Sequence, residues 1–185
     1  MAINDLCEAL KKNAAHANSE KSESAGGSTS TSSKTTYSSS IDSQTERRIC
    51  SAVLSLLDDS SNDVQTVAVK TLSVLLTTVQ EEQVVEIADR LCTLVLDQSK
   101  GDLRDVYAIG LKTLVETVPL SMGNVVSHRL VQRLIDGIHT NSTTKSAGKK
   151  SPSSADEKSS EEIVIACLNV LTDLLTRFGS SSTSI

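Results

Sequence analysis

The sequence has very few aromatic residues. Phe, Trp and Tyr make up 2% of its 185 residues, and tryptophan is absent. Large aromatic side chains are the usual anchors of compact globular cores and of surfaces on which nucleic-acid bases stack. Any core must therefore be built from Leu, Val, Ile and Ala, a composition that suits packed helices.

The sequence also lacks a basic surface and a long apolar segment. Its formal net charge is -5 and its pI is about 5.2, whereas a phosphate-binding surface needs clustered Lys and Arg. No run of about 18 apolar residues occurs, and the opening MAINDLCEALKK lacks the apolar core of a signal peptide. We therefore expect no nucleic-acid partner and no membrane, and a protein of the cytoplasm, the nucleus or both.

Motifs for catalysis and for metal or cofactor binding are missing as well. No glycine-rich phosphate loop or H-E-x-x-H pair is present, and the histidines His16, His128 and His139 fall in loops or on polar faces. Four cysteines occur without a CxxC pair, and we interpret them as small buried hydrophobes in a reducing compartment. They are Cys7, Cys50, Cys92 and Cys167. The sequence thus predicts no enzyme, no metal or cofactor site and no small-molecule substrate.

Two stretches rich in Ser, Thr, Lys and Gly interrupt the apolar sequence. Residues 18–43 and 140–160 contain few large apolar side chains. They cannot bury enough apolar surface to offset the entropy lost on ordering. We predict that both are disordered insertions and that residues 180–185 form a disordered tail.

The rest of the sequence repeats itself at intervals of about 40 residues. The segments NDVQTVAVKTLSVLL (62–76) and GDLRDVYAIGLKTLV (101–115) align with an offset of 39 residues, and RICSAVL and RLCTLVL with an offset of 42. Residues 162–178 carry the first pattern again. Two antiparallel helices in about 40 residues are the HEAT-type period, in which each unit buries its apolar stripe by stacking on its neighbours. The sequence therefore predicts an all-α fold, a HEAT-repeat α-solenoid.

The boundaries of the predicted units follow from this pattern. Residues 1–17 form the inner helix of an incomplete first repeat, and the insertion 18–43 follows it. Three HEAT repeats then occupy 44–79, 80–118 and 119–179, and the loop 140–160 interrupts the third. The tail is 180–185. No polar capping repeat is apparent at either end. Since solenoids need such caps for solubility, we expect the chain to be part of a longer solenoid.

Short motifs within the repeats resemble one family in particular. They are VQ at 64–65, AVK at 68–70, QV at 83–84, LCT at 91–93, LRD at 103–105 and IGLKT at 109–113. Their order and spacing are similar to those in the N-terminal repeats of the cullin-associated, neddylation-dissociated (Cand) proteins, also called TBP-interacting HEAT proteins. The resemblance covers roughly residues 2–13, 45–138 and 162–178. The two Ser-rich insertions depart from the family pattern.

This resemblance implies a non-enzymatic scaffold. Members of the family wrap the unneddylated core of a cullin–RING ubiquitin ligase and promote exchange of its substrate-receptor modules, which regulates SCF complex assembly and protein ubiquitination. The implied partners are a cullin and its RING subunit, contacted by the N-terminal repeats. From periodicity alone, the alternative is a generic HEAT-repeat adaptor, such as a phosphatase scaffold or a segment of a nuclear transport receptor.

The polar face of the second helix in each repeat is the surface on which we expect a partner to bind. Its candidate residues are Thr66, Lys70, Arg104, Asp105, Lys112 and Glu116. For each of them a merely solvated face is the alternative. Arg104 and Asp105 also suit a ladder between repeats. Tyr107 suits either the core or, if exposed, an anchor for a partner.

Overall fold

The structure is a computed structural model that describes Asp5, Glu8, residues 41–142 and residues 154–179, with side chains from Lys158 onward in the last range. The predicted first inner helix (1–17) falls, apart from Asp5 and Glu8, outside the described residues. So do most of the insertion 18–43, residues 143–153 and the tail 180–185.

Six α-helices are described between residues 41 and 179. They are α1 (Ser43–Ser55), α2 (Asn62–Leu75), α3 (Glu81–Leu96), α4 (Arg104–Thr117), α5 (Gly123–Ser142) and α6 (Ser154–Phe178). Three short 3-10 segments connect them, at Leu56–Asp58, Gln98–Leu103 and Leu120–Met122. The described part of the chain contains no β-strand.

The helices form antiparallel pairs that stack in two layers. In the third pair, Gly123 at the start of α5 packs directly against the ring of Phe178 at the end of α6. Consecutive pairs contact each other so that α1, α3 and α5 form the first layer, while α2, α4 and α6 form the second. The fold is therefore the all-α, HEAT-like solenoid that the repeat period predicts.

The core is a continuous apolar column between the two layers. Leu72 on α2, Leu91 on α3 and Leu111 on α4 have no exposed surface. A Cβ added to Gly110 would lie 3.2 Å from Leu91 Cδ2 and 3.7 Å from Leu72 Cδ2. The missing side chain of Gly110 therefore allows α4 to approach both α2 and α3.

The cysteines of the described part behave as buried apolar residues. Cys50, Cys92 and Cys167 are free thiols within the core. Burial raises the pKa of Cys50 to about 12 and the pKa values of Cys92 and Cys167 to about 11. Their sequence-based interpretation as small hydrophobes is thus confirmed, whereas Cys7 lies outside the described residues.

The second insertion is shorter than composition predicts. α5 continues to Ser142 and α6 already begins at Ser154, so parts of the predicted loop 140–160 are helical. Long-range contacts explain the difference. Asn141 is 8% exposed and accepts a hydrogen bond from the side chain of Gln98, and Ser160 is 7% exposed. Composition describes only local preference, and here tertiary packing overrides it.

Candidate functional site

Exposed side chains of the second layer form a polar strip along α2 and α4. Thr66 and Lys70 are exposed on α2, and Asp105, Lys112 and Glu116 are exposed on α4. The spacing of four residues on α2, and of seven and four residues on α4, places the members of each helix on one side of it. Five of the six residues predicted to bind a partner therefore lie on solvent-exposed faces of this layer.

The charges on α4 interact only weakly with each other. Lys112 Nζ lies 3.9 Å from Glu116 Oε1, and their side chains are 53% and 61% exposed. Such an exposed pair, one helical turn apart, stabilises a helix by about 0.3–0.5 kcal/mol. Both groups thus remain accessible to a partner at little energetic cost.

Arg104 is not part of this exposed strip. Its side chain is 2% exposed. Nε donates to the backbone oxygen of Val95 at 3.2 Å, and Nη2 donates to the backbone oxygen of Asp97 at 3.2 Å. The same guanidinium reaches α6, where it donates to Ser159 at 3.1 Å and to Glu162 at 3.0 Å. Arg104 therefore fills the alternative role of joining two repeats, and its assignment to a partner-binding surface does not fit the structure.

Tyr107 likewise lies in the core rather than on the surface. It has no exposed surface, and its hydroxyl donates to the carboxylate of Asp58, which also pairs with Lys100 Nζ at 3.1 Å. Burial, followed by the hydrogen bond to Asp58, raises the pKa of the Tyr107 hydroxyl above its ordinary value. Of the two alternatives for Tyr107, the core position is the one observed.

The structure adds an apolar residue to the strip that sequence reasoning missed. Ile109 is 53% exposed on α4, four residues after Asp105 and three before Lys112, so it shares their side of the helix. The signal for Ile109 is the helical period, since Ile109 falls between Asp105 and Lys112 on the same side of α4. We call Thr66, Lys70, Asp105, Ile109, Lys112 and Glu116 together the second-layer face.

The chemistry of the second-layer face suits binding to a protein. It combines two cations, two carboxylates, a hydroxyl and one exposed aliphatic side chain. Among the described residues, no group of three or more His, Cys, Asp or Glu side chains is arranged to hold a metal ion. Within the same residues, no helix has the length and apolar content needed to cross a bilayer.

Sequence similarity to known relatives shows which family the chain belongs to. Over 139 residues, 75% of this chain and 10% of the relative, it is 35% identical to Cullin-associated NEDD8-dissociated protein 1 of Drosophila melanogaster. The chain belongs to the cullin-associated NEDD8-dissociated protein family. It is also 33% identical over 144 residues to the protein of the same name from Dictyostelium discoideum, which covers 76% of this chain and 10% of that relative.

A second paralogue gives a similar match. Cullin-associated NEDD8-dissociated protein 2 of Mus musculus is 33% identical over 141 residues, which is 76% of this chain and 10% of that protein. No protein-family model matches the chain.

This member of the cullin-associated NEDD8-dissociated family thus spans about a tenth of the length of the relatives it matches. The names of these relatives describe them as cullin-associated. For the chain itself, the partner-binding roles of Thr66, Lys70, Asp105, Lys112 and Glu116 remain predictions.

Proposed function

We propose that this chain is part of a non-enzymatic scaffold that binds the unneddylated core of a cullin–RING ubiquitin ligase. The observation that carries the proposal is the 35% identity over 139 residues to a relative whose name describes cullin association. In the cytoplasm or nucleus, the scaffold acts in SCF complex assembly by promoting exchange of substrate receptors.

The second-layer face is the surface that we assign to the cullin and its RING subunit. Its alternating charges fit a partner surface of mixed charge, while Ile109, 53% exposed in the free chain, offers apolar area to be buried. An exposed ion pair contributes about 0.2–1 kcal/mol, so no single charge supplies a stable complex. The affinity must come from many contacts spread along the stacked helices.

With such a distributed surface, we expect modification of the cullin to oppose binding. A long, rigid stack of helices touches its partner over an extended area and cannot move one repeat aside without unstacking its neighbours. A modifier protein attached to a lysine within the covered area of the cullin therefore competes for the same space. Binding to the unmodified cullin is the expected preference.

A pull-down with a purified, unmodified cullin–RING core tests the proposal. The variant combines Lys70→Glu with Lys112→Glu on the second-layer face. Its control combines Arg47→Glu with Arg48→Glu on α1, where both side chains are exposed on the first layer. The two double variants change the net charge equally.

We expect the Lys70→Glu, Lys112→Glu variant to bind at least about tenfold more weakly, which corresponds to about 1.4 kcal/mol. The α1 control should stay within about twofold of the wild type because a non-specific charge effect is the same in both variants. Equal losses in the two variants would remove the second-layer face from the proposal. Absence of binding by the wild-type chain would contradict the proposed function itself.

A further inference from the structure

Two exposed isoleucines lie on neighbouring helices of the second layer. Ile109 on α4 is 53% exposed, and Ile165 on α6 is 52% exposed. The two helices pack against each other, and Arg104 of α4 bonds to Ser159 and Glu162 of α6. Ile165 therefore extends the second-layer face onto α6 with a second apolar side chain.

The repeat register fixes how the two isoleucines are placed relative to each other. Tyr107 on α4 and Cys167 on α6 are both fully buried and occupy equivalent positions, with an offset of 60 residues. In this register Ile165 is level with Asp105, one helical turn before Ile109. Neighbouring helix axes lie about 8–10 Å apart, and four residues rise about 6 Å. The isoleucines are thus roughly 10–12 Å apart on a diagonal across the layer.

This spacing matches one side of an α-helix and does not match a β-strand. On a helix, residues seven or eight positions apart share one side and are about 10.5–12 Å apart. On a strand, residues that share one side are two or four positions apart, which is about 7 or 13 Å. One partner helix can therefore place an apolar side chain on each isoleucine, whereas one strand cannot.

The charges along this diagonal change sign in the direction from α6 toward α2. Carboxylates accompany the section between the two isoleucines, and cations follow beyond it. The carboxylates are Glu161 and Asp105 and the cations are Lys112 and Lys70, all of them exposed. Among the residues that the structure describes, only one of these four groups takes part in an ion pair, the weak one between Lys112 and Glu116. A complementary helix thus has basic residues toward α6 and acidic residues toward α2.

We propose that one amphipathic helix of the cullin–RING core lies diagonally across α6 and α4. Its apolar residues, about seven or eight positions apart, cover Ile165 and Ile109. Basic residues of the same helix face Glu161 and Asp105, and acidic residues face the two lysines. This inference rests on the proposed function, because it names the structural element that the core presents to the second-layer face.

Site-directed cross-linking of the full 185-residue chain tests the inference, with the purified, unmodified cullin–RING core as the probe. Cys7→Ser is introduced first. The other three cysteines are buried, and burial raises the pKa values of their thiols to about 11 to 12, so they should not react with a maleimide. Ile109→Cys and Ile165→Cys are then labelled one at a time with a maleimide photo-cross-linker, and mass spectrometry identifies the attached residues of the core.

We expect both positions to cross-link to a single helix of the core, at residues about seven or eight positions apart. Arg48→Cys, on the exposed side of α1 in the first layer, serves as the control position. After the same labelling it should cross-link to that helix with a yield at least about tenfold lower, because it faces away from the second layer.

The affinity for the same core gives a second readout. Combining Ile109→Asp with Ile165→Asp should weaken binding at least about 20-fold, because two carboxylates would face the apolar side of the partner helix. The matched control, Ala52→Asp with Val125→Asp, adds the same charge at exposed apolar residues of the first layer and should stay within about twofold. Ile109→Ala with Ile165→Ala adds no charge and keeps good helix formers, and it should still lose at least about fivefold.

Failure of this inference and failure of the proposed function give different results. If the wild-type chain binds the core but the two positions cross-link to separate segments, or to residues two or four positions apart on one strand, the inference is wrong. A complex that tolerates the Ile109→Asp, Ile165→Asp variant as well as the control also overturns it. Absence of binding by the wild-type chain contradicts the proposed function, and this inference with it.

Discussion

Replacing Arg104 by alanine should destabilise the stack more than any change on the second-layer face. Its two bonds to the backbone oxygens of Val95 and Asp97 are made by a side chain that is 2% exposed. Buried hydrogen bonds from a charged donor contribute about 1.5–3 kcal/mol each. The bond to Glu162 adds at most about 1 kcal/mol, because that carboxylate is 43% exposed. We therefore expect a loss of at least about 3 kcal/mol for Arg104→Ala.

Urea unfolding followed by circular dichroism measures this loss as a change in the free energy of unfolding. Arg104→Lys keeps the charge but cannot direct several N–H groups in a fixed plane, so it should recover less than half of the stability. Glu162→Gln should cost less than about 1 kcal/mol, and Arg48→Ala on the exposed side of α1 should cost less than about 0.5 kcal/mol. A cost below about 1 kcal/mol for Arg104→Ala would show that the guanidinium does not hold the two repeats together.

Three further predictions concern the core, the thiols and the partner surface. Leu111→Ala should lower the free energy of unfolding by about 2–5 kcal/mol through cavity formation, and a loss below about 1 kcal/mol would show that the register of α4 is wrong. The three core thiols have folded pKa values of about 11 to 12, whereas unfolded thiols ionise near pH 8.5. Ionisation of these thiols therefore favours the unfolded state. Stability measured by thermal unfolding should be constant below about pH 8 and fall as the pH rises toward 11. A stability that rises over this range would contradict the burial of the thiols. Lys112→Glu alone should weaken binding to a cullin–RING core by no more than about fivefold, and a several-hundred-fold loss in calorimetry would refute distributed binding.

Local periodicity was sufficient to predict the helices and most of the core. The offset between residues 62–76 and 101–115 placed Leu72 and Leu111 at equivalent positions, and both are fully buried. Gly110 carries a signal of the same kind, because a residue without a side chain on an apolar helix side indicates a close helix contact. Both inferences depend on neighbours within one repeat, which a repeating sequence records directly.

Contacts between repeats were beyond the reach of periodicity. Periodicity leaves Arg104 open between a partner-binding face and a ladder between repeats, and its contacts with Ser159 and Glu162 on α6 decide between them. For Tyr107, the contact with Asp58 decides in the same way between the core and an exposed anchor. These partners lie 49 to 58 residues apart in the sequence. No local pattern specifies such pairs. Only the structure shows which members of the candidate site are buried and which are exposed.

The most direct test of the account is the affinity of this chain for one cullin–RING core, measured by calorimetry before and after conjugation of NEDD8 to the cullin. We expect binding to the unmodified core and at least about tenfold weaker binding to the conjugated core, a difference of about 1.4 kcal/mol. Equal affinity for both forms, or no binding to either, would contradict the assignment of the second-layer face to an unneddylated cullin.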